Sequence, residues 1–82
     1  MKFMVELKLI PGSTRQAVEA FEQRGPNRSP GVAMRGAWVG TGEDFIFALV
    51  ESDDESLVLK ASQAWADVGD CEIHPVIDIE QF

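Results

Sequence analysis

Six segments in the order β-α-β-β-α-β account for nearly all of this 82-residue chain, and no other feature restricts its fold as strongly. Residues 2–10 alternate, with Phe3, Val5, Leu7 and Leu9 on one face and Met4, Glu6 and Lys8 on the other. A period of two is the mark of a strand with one face on a core. Pro11-Gly12 ends it. Ser13-Thr14-Arg15-Gln16 then reads as a capping box, with the Ser13 hydroxyl and the Gln16 amide placed to satisfy free amides of a first helical turn. Ala17, Val18 and Phe21 form the apolar stripe of that helix, Glu19, Glu22 and Gln23 its wet side, and Gly25-Pro26 its stop.

The second half follows the same logic. Residues 32–39 and 45–51 are strands joined through a Gly40-Thr41-Gly42 turn, a hairpin signal. The second of them, from Phe45 to Val50, is apolar at both parities and is expected to be buried on both faces. Ser52-Asp53-Asp54-Glu55 reads as a second capping box. Leu57, Val58, Ala61, Ala64, Trp65 and Val68 trace a helical stripe that Gly69 terminates, and residues 71–79 form the last strand. Pro75 has no amide hydrogen to give a neighbour, so this strand belongs at a sheet edge. Right-handed crossovers place the first and third strands in the centre. The predicted architecture is a single α+β domain over 1–82, a ferredoxin-like split β-α-β with a four-stranded antiparallel sheet and two helices on one face.

Two helices cover one sheet face only. The other carries Met4, one parity of the third strand, Val76 and part of the second strand, more apolar surface than a monomer usually exposes. Homodimerisation, sheet against sheet, covers it at least cost. The formal net charge of -7 argues against nucleic acid and anionic membranes as partners. No apolar run reaches the ~18–20 residues that span a bilayer. With one cysteine, Cys71, and no N-terminal secretion signal, a reduced cytoplasm is the expected location, and the Asn27-Arg28-Ser29 glycosylation pattern is discounted. The stretch GPNRSPG, 25–31, is the natural place for a lid, although a loop of this length ordinarily just connects.

His74 is the lone histidine and so the lone side chain with an ordinary pKa near neutrality. Its parity sets it on the face away from the helices, and the antiparallel first strand brings Glu6 opposite it or one step away. A carboxylate beside an imidazole is an acid–base or ligand-orienting pair; equally, it is a packing contact at an interface. Arg35 and Trp38 differ in parity, so only one faces the pocket unless a bulge intervenes. Aromatic residues at such a mouth hold planar ligands, while a Trp in a small domain is commonly core. Cys71, on the helix-facing parity without a basic neighbour, reads as buried and inert. No CxxC, HxxxH, GxGxxG or phosphate loop is present, one His and one Cys do not make an ordinary zinc site, and no cofactor is implied. The acidic group Glu51, Asp53, Asp54 and Glu55 suits a helix N-terminus, not a calcium loop.

Phe3-Met4-Val5, Pro11-Gly12, Gly31-Val32, Gly36-Ala37-Trp38, Phe47-Ala48-Leu49-Val50-Glu51 with Asp53-Asp54, and Pro75-Val76-Ile77-Asp78 together resemble a family of small bacterial proteins, domain of unknown function 3303. The resemblance covers nearly the whole chain and rests on turns, core strands and a helix cap, with no active site to carry over. More loosely, the pattern looks like the dimeric α/β barrel superfamily, whose members include cofactor-independent monooxygenases, isomerases and cyclases, and ligand-sensing modules. Three roles follow as expectations. The first is a homodimeric module that binds a small molecule. The second is a cofactor-free enzyme acting on a small planar organic substrate between sheet and helices through His74 and Glu6. The third is a structural, partner-binding protein.

Overall fold

The computed structural model describes residues 1–24 and 30–82. The elements are β1 (Lys2–Leu9), α1 (Thr14–Arg24), β2 (Ala33–Val39), β3 (Phe45–Glu51), α2 (Glu55–Gln63), β4 (Gly69–Val76) and a short 3-10 turn, Ile79–Gln81. They build one antiparallel sheet of order β2-β3-β1-β4. The ferredoxin-like reading holds, with β1 and β3 central and the Pro75 strand at an edge. The glycosylation pattern and the proposed lid fall on 25–29, outside the described residues. None of the helices described is long and apolar enough to cross a membrane.

The alternation along β1 and β3 decides where the core lies. Phe3, Leu7 and Leu9 of β1 and Ile46, Ala48 and Val50 of β3 are buried on the helix side. Leu7, Leu9 and Ile46 pack with Ala17 of α1 and with Val68, flanked by Phe21 and Trp65. Phe3, Ala48 and Val50 pack with Val58 of α2, flanked by Met34 and Ile73. The Phe21 and Trp65 rings stack at 4.0 Å and 17°, which ties α1 to the chain after α2. Phe45, Phe47 and Leu49 are only half-buried on the opposite face, so β3 is not covered on both sides within one chain.

Both capping boxes work differently from expectation. The Ser13 carbonyl accepts the first helical bond, from Ala17 N–H. The Ser13 hydroxyl, however, donates towards the carbonyls of Ile10 and Val68 instead of accepting from Gln16. It is a buried clasp between the start of α1 and the approach to β4. In the second helix the cap is Asp54, whose carboxylate accepts from the Ser56 amide at 2.9 Å and the Ser56 hydroxyl at 2.7 Å. Ser52 lies two residues earlier, buried, and accepts from Asp54 N–H. Helix α2 stops at Gln63, and 64–68 form turns that still carry Trp65 and Val68 into the core.

Gly69 is the first residue of β4 rather than a helix stop. A Cβ there would lie 2.1 Å from the Lys8 carbonyl oxygen. The two backbones approach this closely only because the side chain is a hydrogen. In the hairpin the left-handed residue is Glu43, with φ 59°, not a glycine. Its carbonyl accepts the Thr14 hydroxyl at 2.7 Å, which fastens the β2–β3 turn to α1.

Two outcomes follow. Gly69→Ala is expected to force β4 from β1 and cost at least the roughly 1–3 kcal/mol of an overpacked core, read as a lower urea midpoint. The two hydrogen bonds from Ser56 hold the Asp54 carboxyl below its ordinary pKa. A depressed carboxylate contributes stability that is present above its unfolded pKa and lost as pH falls through the folded one. Asp54→Ala should therefore melt earlier than the parent at neutral pH, with the gap closing in acid. A gap that is the same at both pH values would remove Asp54 as the charged cap.

Candidate functional site

The face of the sheet away from the helices is a map of four rows. Register places Glu51, Lys2 and Val76 side by side, then Leu49, Met4 and His74, then Phe47, Glu6 and Glu72, then Phe45, Lys8 and Asp70. On the β2 side, Gly36 stands beside Leu49 and Trp38 beside Phe47. The apolar residues collect over β2 and β3 and the charged ones over β4, with Met4 and Glu6 of β1 at the boundary.

Strand β2 owes its part in this face to an irregularity. The register slips between Met34 and Gly36, leaving Arg35 as the extra residue of a bulge. Met34 therefore still faces the helices, while Gly36 and Trp38 switch to the open side. The Trp38 ring lies over Gly36, where a Cβ would meet the ring edge at 2.6 Å. It remains 56% exposed. Arg35 reaches the same face and pairs with Glu51, Nε to Oε1 3.3 Å. The parity conflict between Arg35 and Trp38 is thus resolved by the bulge, and both residues lie on the open side. Phe45 and Phe47 stack along β3 with ring centres 5.8 Å apart.

At the β4 side, His74 Nε2 lies 3.4 Å from a Glu6 carboxylate oxygen and 3.6 Å from one of Glu72. Glu6 and His74 come from diagonal positions and Glu6 and Glu72 from directly opposite ones. The sequence reading paired His74 with Glu6 and passed over Glu72. The signal was present in Glu72-x-His74, a two-residue spacing that puts both side chains on one face of a strand. None of these groups lies between sheet and helices, where the core is filled, so the predicted cleft there is corrected. A cleft of about 430 Å³ opens instead at the end of the sheet, lined by Lys2, Glu51, Val76, Ile77 and Asp78 among others. Lys2 and Asp78 bridge across it at 3.0 Å.

Cys71 lies on the helix side with its thiol 3.8 Å from the Ser62 carbonyl. Burial first, and the negative charge of Asp70 second, push the thiol pKa up. Both favour the protonated, unreactive form.

The sequence pattern of the family described as Domain of unknown function (DUF3303) matches residues 1–82. The chain belongs to this family. No curated protein matches it. Among solved structures, this DUF3303 chain is similar to a point mutant of MhuD with two manganese protoporphyrin IX bound per active site. The TM-score is 0.50 at 14% identity, over 96% of this chain and 98% of that one. At that identity the likeness is one of fold.

The raised thiol pKa has a direct readout. Cys71 of the folded protein is expected to react with iodoacetamide at pH 8 more slowly than a free cysteine does, and to reach the free rate in denaturant. Equal rates in the native state would place the thiol outside the core.

Proposed function

We propose that this DUF3303 protein is a small homodimeric module that binds a planar organic molecule on its open sheet face. The observation that carries the reading is the uncovered patch of Trp38, Phe47, Phe45, Leu49 and Met4, bounded on one side by Glu6 and His74 and on another by Arg35. Four strands of this length present a footprint of about 19 by 25 Å. With its side-chain relief, that is of the order of the ~800 Å² each partner contributes to a standard interface. A second copy, sheet against sheet, shields the apolar half and leaves the His74–Glu6 side as a polar wall. The planar class is supported by the aromatic faces of Trp38 and Phe47 and by the flat tetrapyrroles held by the similarly folded MhuD mutant. No cofactor of its own is needed for binding. The single free thiol suits a reducing cytoplasm.

A second reading, a cofactor-free enzyme, is favoured by one distance. The 3.4 Å between His74 and Glu6 is within one small shift of a proton-transferring hydrogen bond. In that case His74→Ala retains ligand binding and loses turnover.

Light scattering should return about twice the chain mass of 9.0 kDa. Leu49→Glu, a charge set in the patch, should return one chain mass with its circular dichroism unchanged. In a Trp65→Phe background, protoporphyrin IX should quench the remaining Trp38 saturably, and stearate should not. A clean monomer at millimolar concentration whose Trp38 ignores the porphyrin would overturn the proposal.

A further inference from the structure

The geometry points to a divalent metal site at Glu6, Glu72 and His74, on the β1–β4 side of the open face. Each residue offers one ligand atom, and the three atoms lie within 4.8 Å of one another. The site is more than a group of acids, because an imidazole nitrogen sits between the two carboxylates. Imidazole with carboxylate oxygen is a donor set for zinc and its transition-metal neighbours, whereas magnesium and calcium favour oxygen alone.

Two observations favour an ion over a plain ion pair. The contacts from His74 Nε2, 3.4 and 3.6 Å, are longer than the roughly 2.7–2.9 Å of a charge-assisted hydrogen bond. They are close to the edges of a tetrahedron with metal–ligand bonds of about 2.0–2.2 Å, which are about 3.3–3.6 Å. The spacing leaves the interior of the triangle for a shared ion. Second, Glu6 and Glu72 stand directly opposite each other across β1 and β4. Like charges in that relation repel and weaken a sheet, and a cation between them turns the repulsion into attraction. Two carboxylates and a neutral imidazole carry the charge that a divalent ion cancels.

The three donors are preset by the backbone. Glu72 and His74 are two residues apart on one strand face, and Glu6 is held by the β1–β4 register. The third side of the triangle, between the two carboxylate oxygens, is no longer than 4.8 Å. Three protein ligands leave a fourth tetrahedral position for water or for a donor atom of a bound molecule, the arrangement of an open rather than a purely structural centre. None of this geometry involves a second copy or an organic ligand, so the inference stands or falls apart from the proposed binding module.

Cobalt(II) is the probe, because its visible absorption reports coordination. The full chain without a histidine tag is titrated in a Cys71→Ser background, which removes the one thiol able to compete. One Co²⁺ per chain is expected to bind saturably, to be displaced by Zn²⁺ and to be indifferent to an excess of Mg²⁺. Glu72→Gln and His74→Ala should each weaken binding at least tenfold. Glu72 is exposed at 73% of its side chain, so its substitution leaves the fold intact. By removing the cross-strand repulsion it should leave the metal-free melting temperature unchanged or higher. Absence of saturable binding at millimolar Co²⁺ would overturn the site, as would binding that survives either substitution.

Discussion

Strand β1 is the member on which the rest of this structure depends. It is hydrogen-bonded on both sides, to β3 and β4, and supplies residues to both halves of the core, Leu7 and Leu9 to one and Phe3 to the other. A strand paired on both edges leaves no slack in register. A slip of one residue would move Phe3 and Leu7 to water and Met4 and Glu6 into the core. The open face inherits its order from that restriction. Glu6 meets Glu72 and lies diagonal to His74 because Phe3 and Leu7 have no other place to go. The polar cluster is therefore positioned by apolar burial on the reverse side of the same strand.

The closing contact of the sheet joins the first strand of the chain to the last. Nothing local holds β1 against β4; the pairing forms only once the chain has passed through both helices and the hairpin. Contacts so far apart in sequence carry a loop-closure cost and slow folding. The local clasps reduce the number of ways the chain can arrive. The Ser13 hydroxyl reaches the Val68 carbonyl, Thr14 holds the Glu43 carbonyl, and the Phe21–Trp65 stack spans the two halves. Each joins residues near an element boundary, where a small anchor fixes the direction of the element that follows.

The elements were legible in the sequence wherever one physical rule acted alone. The period of two in β1 and the missing amide of Pro75 reported the sheet correctly, as right-handed crossovers did the order of its strands, while the apolar run of β3 gave its central place but overstated the burial of its second face. The reading was less exact where two rules compete for one residue. Ser13 and Ser52 stand where a cap belongs, but the local carbonyl of Ile10 and the distant one of Val68 claim the first, and Asp54, with a stronger acceptor, displaces the second. Gly69 looked like a helix stop because a glycine that admits a neighbouring backbone and one that adopts a left-handed turn are the same letter. For the site, parity sufficed to bring His74 and Glu6 together and to set Glu72 on the same face, while the cross-strand register adds that Glu72 stands directly opposite Glu6. The place of Arg35 and Trp38 was not readable from parity at all, because a bulge is a property of two strands and β2 alone does not announce it.

That bulge bears on how this face can change over generations. Beyond Arg35, everything on β2 is out of phase with what precedes it, so the composition of the open side is tied to the number of residues in the strand as well as to their identity. Straightening the strand with all its residues kept would restore simple alternation and exchange Trp38 for its neighbours Ala37 and Val39 in a single event, whereas losing Arg35 together with the bulge would leave Gly36 and Trp38 on the open side. The bulge at this one position acts as a selector between two surfaces already written into the same strand, one aromatic and one aliphatic, while the central pair β1 and β3 stays as it is.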